Sequence, residues 1–124
     1  GYLKWLKKNP HPHQTYIAND LLYIVVRAGD SWKSISQEFD ISQKKLRQYN
    51  DLYKGYALQV GDILYLEKKN KKAQKDNIVH VFRAGESMYG ISQKYGIRLK
   101  NLYKLNKMNP EDPAPKVGTI LRLR

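Results

Sequence analysis

The alternation of hydrophobic and polar positions predicts short strands and short helices along this chain. Residues 23–27 are rich in β-branched side chains and predict a strand with Ile24 and Val26 on one face. After a break at residues 28–30, Ser31 is a candidate N-cap, and apolar side chains follow it at helical spacing. The apolar positions of this helix are Trp32, Ile35 and Phe39.

A second helix and a closing strand follow. Ser42 is the candidate cap of that helix, Leu46 is one of its apolar positions, and Asn50 suits its C-terminus, where a left-handed backbone is tolerated. A loop over residues 51–59 then leads to a predicted strand at 63–66. This first half of the chain is therefore predicted to have the order strand, helix, helix, strand.

The same order recurs in the second half, because the chain contains an internal repeat. When residues 24–50 are laid over residues 80–106, 12 of the 27 positions are identical. The repeat predicts strands at 80–83 and 120–123, a cap at Ser87, a helix end at Gly96 and a second helix over 99–105. The identical pairs include Arg27/Arg83, Gly29/Gly85, Ser31/Ser87, Ile35/Ile91, Leu46/Leu102 and Asn50/Asn106.

These elements predict an α+β protein of two βααβ units, each with a two-stranded antiparallel sheet and both helices packed on one face. The expected divisions are an N-terminal extension at 1–21, a first unit at 22–67, a lysine-rich exposed linker at 68–78 and a second unit at 79–124. The extension resembles neither repeat, and either packing on the first unit or belonging to a larger partner domain fits it. The expected core is Ile24, Val26, Ile35, Leu46, Leu64 and Leu66 in the first unit, and His80, Phe82, Ile91, Leu102, Leu121 and Leu123 in the second.

Composition narrows the class of protein only slightly. The 124 residues carry a formal charge of +12 and no cysteine, which excludes disulfides and thiolate metal sites. No apolar run approaches the roughly 20 residues that span a bilayer, and no signal peptide is visible in this fragment. The positive charge is compatible with nucleic acid, acidic lipid or an anionic cell-wall polymer, and equally with a lysine-rich soluble surface.

The openings and closings of both units resemble the LysM family. Residues 23–32 and 80–88 are similar to its opening strand and Gly-Asp-Thr-Leu turn, and Asn50 and Asn106 each precede a loop and a Gly-x-x-Leu-x-hydrophobic ending. The resemblance implies a βααβ fold that binds glycans containing N-acetylglucosamine, chiefly peptidoglycan or chitin. The sugar would lie in a shallow groove between the loop after the first strand and the loop after the second helix.

The resemblance carries this groove onto fourteen residues of the chain. In the first unit they are Gly29, Asp30, Ser31, Trp32, Asp51, Leu52 and Tyr53; in the second they are Gly85, Glu86, Ser87, Met88, Lys107, Met108 and Asn109. Trp32 and Met88 depart from the usual aliphatic residue, and only the second unit has Pro110, Pro113 and Pro115 in its later loop. The two grooves are therefore expected to differ in affinity or in ligand length.

These residue types suit an N-acetyl sugar, and each also has a purely structural explanation. Backbone amides at a helix N-terminus can donate to the sugar's carbonyl and hydroxyls, and an apolar wall takes the acetyl methyl. The glycines equally serve the turn, the serines cap helices, and Asp30 and Glu86 favour the helix dipole. Trp32 is equally suited to the core and to the wall of the groove.

No catalytic or metal-binding arrangement is evident in the sequence. His11 and His13 flank Pro12 without further ligands, and candidate acid pairs such as Asp30 with Asp62, or Glu86 with Asp112, lie in predicted turns. A non-enzymatic, monomeric binding module without cofactors is expected, located at the cell envelope, in the periplasm or outside the cell. The tandem also resembles the C-terminal tail of Bacteroides-type cell-wall glucosaminidases, which implies a catalytic domain before residue 1.

Two sites on one chain favour binding to a polymer by avidity. The alternatives are a basic nucleic-acid-binding module and a scaffold that binds another protein, and the response of affinity to salt separates nucleic acid from a neutral glycan.

Overall fold

The computed structural model describes residues 12–124, so the start of the extension, including His11, lies outside the described residues. Residue contacts divide the chain into two compact units, one ending at Lys68 and the other running over Lys69–Arg124. Both contain the predicted order of strand, helix, helix, strand, which confirms the α+β class and the tandem βααβ units.

The first unit contains β1 (Tyr16–Ala18), β2 (Leu21–Val25), α1 (Trp32–Phe39), α2 (Gln43–Tyr49) and β3 (Ile63–Tyr65). Its sheet contains the two expected antiparallel strands, β2 and β3, and β1 from the N-terminal extension pairs with β2 as a third strand. The extra strand forms because Asn19 and Asp20 both adopt left-handed conformations, with φ of 56° and 62°, in a two-residue hairpin turn. The extension therefore packs on the first unit through β1.

The helix boundaries of the first unit follow from local chemistry. Ser31 accepts a hydrogen bond from the amide of Ser34 at 3.0 Å, and the Ser34 hydroxyl accepts one from the amide of Ser31, which completes a capping box. Asp40 ends α1 in a left-handed conformation with φ of 54°. Ser42 caps α2 through the amide of Lys45. The caps predicted at Ser31 and Ser42 are confirmed.

Asn50 is the C-cap of α2, as predicted, but its backbone is not left-handed. Its φ is −111°, and the left-handed residue is Asp51, one position later. The fully buried Asn50 amide donates to the carbonyl oxygens of Leu46 and Tyr65 and accepts from the Tyr65 amide, at 2.7–2.9 Å. It therefore joins the end of α2 to β3. Asn106 makes the same three hydrogen bonds, to Leu102 and Arg122, in the second unit.

The second unit contains β4 (Val79–Val81), α3 (Met88–Tyr95), α4 (Leu99–Leu105) and β5 (Ile120–Arg122). Its sheet has the two antiparallel strands expected, with His80 opposite Leu121. Ser87 caps α3 through the amide of Gly90 at 3.0 Å, and Gly96 ends it with φ of 65°, so the predicted start and end of this helix are confirmed.

The predicted core residues are all buried, and each unit has its own cluster. In the first unit the clustered residues are the six predicted ones. The cluster of the second unit also contains Ala73, Met88 and Ile97, and His80 is buried beside it with 8% of its surface exposed. Packing of helices on a small sheet supplies the apolar burial that so few strands could not supply alone.

The lysine-rich segment is exposed along most of its length, as its composition predicts, but it packs on the second unit at Lys69 and Ala73, which are buried. Lys69 is 2% exposed and its ammonium donates to Ser92 Oγ at 3.2 Å and Gln93 Oε1 at 2.8 Å. The amide of Ala73 donates to the carbonyl oxygen of Leu123, and Asn70 bridges to Ile97. The segment packs on the second unit because these polar groups satisfy the buried ammonium and backbone.

Candidate functional site

The first loop of the first unit is ordered by its own turn chemistry. Gly29 has φ of 86° with open space where a Cβ would stand, so the backbone conformation is what favours glycine here. The Asp30 carboxylate accepts a hydrogen bond from the amide of Arg27 at 2.6 Å and closes the turn. Ser31 then caps α1, as described above. Of the predicted contacts, Gly29 and Ser31 are exposed and Asp30 is partly exposed.

Trp32 links the first loop of this unit to the later loop, which follows α2. Its indole Nε1 donates to the carbonyl oxygen of Tyr56 at 2.7 Å, while its ring packs against the core cluster of the first unit. The hydroxyl of Tyr56 donates to Asp62 Oδ2 at 2.8 Å, and burial together with this hydrogen bond raises the pKa of Tyr56 to about 12. The loop after α2 is therefore anchored both to the start of α1 and to the turn before β3.

The predicted residues of the later loop of the first unit differ in exposure. Asp51 holds a left-handed turn with φ of 53°, and Leu52 packs partly buried against the core. The Tyr53 side chain is 69% exposed, with its ring edge-on to Tyr56 at a centroid distance of 5.7 Å. Tyr53 thus presents an aromatic surface to solvent beside the Trp32–Tyr56 contact.

The second unit has the same turn in its first loop as the first unit, but it has Met88 where the first unit has Trp32. Gly85 has φ of 83°, and the Glu86 carboxylate accepts from the amide of Arg83 at 2.7 Å, as Asp30 does from Arg27. Met88, by contrast, is 5% exposed and lies in the hydrophobic core. Its side chain therefore offers no exposed apolar surface to a ligand.

The later loop of the second unit also differs from its counterpart. Lys107 takes the left-handed position with φ of 53°, and Met108 packs partly buried against the core. The amide of Asn109 donates to Asp112 Oδ2 at 2.8 Å in a turn that precedes Pro113. Lys107 and Asn109 are the exposed members of this predicted group.

A depression of about 240 Å³ lies beside the first loop of the second unit. It extends along the outer side of α3, where Gly90 leaves space next to the Ser87 hydroxyl, and away from the later loop. Its lining residues are Gly85, Glu86, Ser87, Gly90, Ile91 and Lys94. Three predicted residues therefore share a concavity with two that the sequence did not suggest, Gly90 and Lys94.

Each first loop is also bound by a buried histidine, which sequence reasoning missed. Nε2 of His13 lies 2.6 Å from Asp30 Oδ2, and Nε2 of His80 lies 2.9 Å from Glu86 Oε1. Hydrogen bonding from His80 is the main cause that lowers the pKa of Glu86. A sequence signal existed only for His80, which lies on the predicted core face of a strand next to an acidic turn.

A second concavity, of about 360 Å³, lies in the lysine-rich segment of the second unit. Lys71, Lys72, Lys75 and Arg124 line it, with Asn70, Ala73 and Gln74. The second unit as a whole carries 13 Lys and Arg against four Asp and Glu, a formal charge of +9 of the chain's +12. Positive potential is thus concentrated in one unit.

The carboxylates that the sequence offered as candidates for catalysis accept hydrogen bonds within turns. Asp62 Oδ2 accepts from the amide of Gln59 and from Tyr56, and Asp112 Oδ2 accepts from Asn109. Among residues 12–124 no group of three or more His, Asp or Glu is placed to hold a metal ion. Although His13 contacts two carboxylates, they lie on opposite nitrogens of its ring and do not converge.

Comparison with protein families identifies the two units. The model of the family described as "LysM domain" matches residues 24–66 and again residues 80–124. The chain belongs to the LysM family. The domains detected in it are LysM binding domains, and its relatives match it through this region, in agreement with a non-catalytic module.

Curated proteins that contain similar LysM regions are cell-wall enzymes by name. The chain is 28% identical over 91 residues to the autolysin of Enterococcus faecalis, covering 68% of the chain and 12% of that protein. It is 26% identical over 106 residues to a probable peptidoglycan endopeptidase, LytE, of Bacillus subtilis, covering 82% and 31%. It is 31% identical over 86 residues to the membrane-bound lytic murein transglycosylase D of Escherichia coli, covering 65% and 19%.

The chain thus spans 12% to 31% of the length of these relatives. Among solved structures it is similar to the spore cortex-lytic enzyme SleL of Bacillus cereus, with 26% identity, 82% of the chain covered, 22% of that chain covered and a TM-score of 0.35. Within the described part of the chain, every helix is too short or too polar to cross a membrane.

Proposed function

We propose that this tandem LysM chain is a non-catalytic carbohydrate-binding module for polymers that contain N-acetylglucosamine, with peptidoglycan as the foremost ligand and chitin-like chains as the alternative. Each unit binds the glycan through its first loop and its later loop. The observation that carries the proposal is the hydrogen bond from Trp32 to Tyr56, since it holds those two loops of the first unit beside each other.

The chemistry of the first unit supports this proposal. Its first loop offers exposed backbone at Gly29 and the N-terminus of α1 after Ser31, where first-turn amides that the capping box does not use can donate to an acetamido carbonyl or to hydroxyls. Tyr53 offers a solvent-facing ring for the apolar face of a sugar. A few polar groups beside apolar surface are the usual composition of a small-ligand site.

The two LysM units are proposed to bind unequally. In the second unit Met88 is withdrawn into the core, and Asn109 replaces the exposed Tyr53. Without an exposed ring at either position, this unit has less apolar surface to offer a sugar face. The first unit is therefore the stronger site. The second unit adds hydrogen bonds from Gly85–Ser87 and from the other residues that line its depression.

Titration of the isotopically labelled chain with N-acetylglucosamine oligomers tests the site residue by residue. Amide signals of residues 29–32 and 51–53 should shift together, and Tyr53→Ala should weaken binding about fivefold, the equivalent of about 1 kcal/mol for one aromatic contact. Tyr89→Ala is the matched control, because Tyr89 is a partly exposed tyrosine on α3 of the second unit. Shifts confined to other surfaces, or equal effects of both substitutions, would refute the groove.

Avidity is the proposed reason for the duplication. Two weak sites on one chain raise affinity for a polymer that presents repeated epitopes, but not for a short oligomer. A variant with a disabled first site and one with a disabled second site should each bind soluble oligomer at the remaining site. On insoluble peptidoglycan each should lose much more affinity than on the oligomer. Additive, independent binding on the polymer would reject avidity.

The parent protein is proposed to be a cell-wall hydrolase of the envelope or the exterior, which this module anchors to its substrate. The named relatives support it, because they are an autolysin, an endopeptidase and a murein transglycosylase. A glucosaminidase of the Bacteroides type is the specific parent that we propose. The DNA sequence that encodes the rest of the protein tests this directly, since a catalytic domain of another class would replace that assignment.

Polyanion binding is the second candidate, and the cationic concavity of the second unit favours it. Lys71, Lys72 and Lys75 are exposed there. Neutralising them with Lys→Gln changes should weaken binding to nucleic acid or an anionic wall polymer. Neutralising Lys100, Lys104 and Lys116 removes the same charge elsewhere on that unit and is the control. Loss of the salt dependence in the first variant alone would support a local polyanion site, whereas equal losses would indicate only the overall charge.

A further inference from the structure

His13 is buried between a loop and a helix of the first unit. Its Nε2 lies 2.6 Å from Asp30 Oδ2, its Nδ1 lies 2.7 Å from Glu38 Oε1, and its backbone amide donates to Glu38 Oε2 at 2.8 Å. Glu38, on α1, is 1% exposed. His13 therefore connects the first loop of the candidate site to the middle of the unit through two charged partners.

His80 makes the corresponding connection in the second unit from another place in the sequence. Its Nε2 lies 2.9 Å from Glu86 Oε1, and its Nδ1 lies 2.8 Å from the hydroxyl of Tyr95 on α3. In the repeat, Glu86 corresponds to Asp30 and Tyr95 to Phe39, while His80 corresponds to Ile24. The first unit has no histidine at that strand position.

The rings also occupy equivalent surroundings. His13 lies 6.2 Å from the ring of Phe39, and His80 lies 5.4 Å from the ring of Tyr95, measured between ring centroids. The same relation between a histidine, an acidic loop and the same helix position is thus reached by two unrelated segments. The family match begins at residue 24, so His13 lies outside it.

We infer that His13 is a positioning residue of the first unit's glycan site: supplied from before the LysM repeat, it fixes the Asp30 loop as His80 fixes the Glu86 loop. This inference rests on the proposed function. It makes residues 12–18 part of the first binding unit, since β1 and the His13 contacts hold the segment to it. A first unit trimmed to the repeat would fold around an unsupported loop.

The hydrogen-bonding partners of the two histidines differ. His13 lies between two carboxyl groups, with Asp30 at Nε2 and Glu38 at Nδ1. His80 lies between the Glu86 carboxylate and the Tyr95 hydroxyl.

Other charged groups also lie near each ring. Arg27 Nη2 lies 3.3 Å from Nδ1 of His13, where a guanidinium can only donate, so both Arg27 and Glu38 contact this nitrogen. Lys94 lies over the ring of Tyr95, 5.5 Å from its centroid, and its charge also lowers the pKa of Glu86. Removal of the His13 ring removes its contacts with Asp30 and Glu38 and should release the first loop.

The test is titration of the full chain with a neutral N-acetylglucosamine oligomer, followed separately at the amides of each unit. His13→Gln should weaken the first unit roughly tenfold, the equivalent of about one hydrogen bond, and should shift the amide signals of residues 29–31 before any oligomer is added. His80→Gln is the reciprocal control and should act on the second unit alone.

Glu38→Gln separates positioning from a general loss of structure. The glutamine amide can donate to Nδ1 of His13 while its oxygen accepts from the His13 backbone amide, so both contacts are kept. This variant should keep the affinity of the first unit, whereas Glu38→Ala, which removes both contacts, should weaken it as His13→Gln does. Amide signals of the first unit verify that it is folded in each variant.

Equal affinity of wild type and His13→Gln at the first unit, or equal losses in Glu38→Gln and Glu38→Ala, would overturn the inference while the proposed function stands. Absence of oligomer binding at both units of the wild type would instead remove the proposed function, and the inference with it. The two failures are therefore distinguishable in one set of titrations.

Discussion

Replacing Asn50 by alanine should destabilise the first unit by about 3 kcal/mol. Its buried side chain makes three hydrogen bonds at 2.7–2.9 Å, to the carbonyl of Leu46 and to both backbone groups of Tyr65. Each such bond contributes about 1 kcal/mol net, and alanine leaves buried backbone groups without these partners. Asn50→Asp should be worse, because a carboxylate cannot donate and would face two carbonyl oxygens.

The duplication supplies an internal control for that magnitude. Asn106 makes the same three hydrogen bonds with Leu102 and Arg122, but its side chain is partly exposed. Water can replace a lost partner there, so Asn106→Ala should cost the second unit only about 1 kcal/mol. The difference between the two substitutions isolates the contribution of burial.

Urea unfolding of the full chain measures both effects. In a Trp5→Phe background Trp32 is the one tryptophan left, so tryptophan fluorescence follows the first unit, and amide signals of residues 79–124 follow the second. The midpoint of the fluorescence transition should fall in Asn50→Ala with an unchanged slope. A loss below about 1 kcal/mol for Asn50→Ala, or a larger loss for Asn106→Ala, would refute the hydrogen-bond reasoning.

Three further substitutions test other parts of the structure. Lys69→Ala should destabilise the second unit by about 2 kcal/mol, because it removes a buried ammonium that donates hydrogen bonds to Ser92 and Gln93. Lys68 is exposed, so Lys68→Ala should be near neutral in the same urea experiment. Tyr56 has a pKa raised to about 12, so its contribution to stability should be full below about pH 10 and lost as pH rises through about 12; spectrophotometric titration of Tyr56→Phe should lack that late-ionising phenol. Glu86 has a lowered pKa, so the stabilisation that it gives should be present above its unfolded pKa and lost on acidification through the lower folded one; in His80→Gln, carboxyl NMR should show this pKa return upward, and no change would count against the His80 contact.

Much of the fold is predictable from the sequence because its signals are local. Ser31, Ser42 and Ser87 cap helices through amides three residues later, and the glycines at positions 29 and 85 provide positive φ in the turns. Both the cap and the turn depend on neighbours within a few residues, which a sequence displays directly. The core residues follow in turn from the periodicity of those elements.

The candidate site is less accessible to sequence reasoning. The repeat and the family resemblance locate both loops, but they assign Met88 the same wall position as Trp32, although one side chain is buried and the other reaches Tyr56. Which member of an aligned pair enters the core depends on the volume left by the surrounding side chains, and that volume is a property of the packed unit.

The sequence by itself determined the duplication, the order of elements, the helix caps and the core of each unit. Only the tertiary structure decided that β1 joins the first sheet, that Lys69 lies buried, that Asn50 bridges α2 to β3, and that His13 joins Asp30 to Glu38. For Lys69, Asn50 and His13 the physical reason is separation along the chain. Their contacts join polar groups 15 to 25 residues apart, and no periodic pattern encodes which distant partner will satisfy a buried polar group.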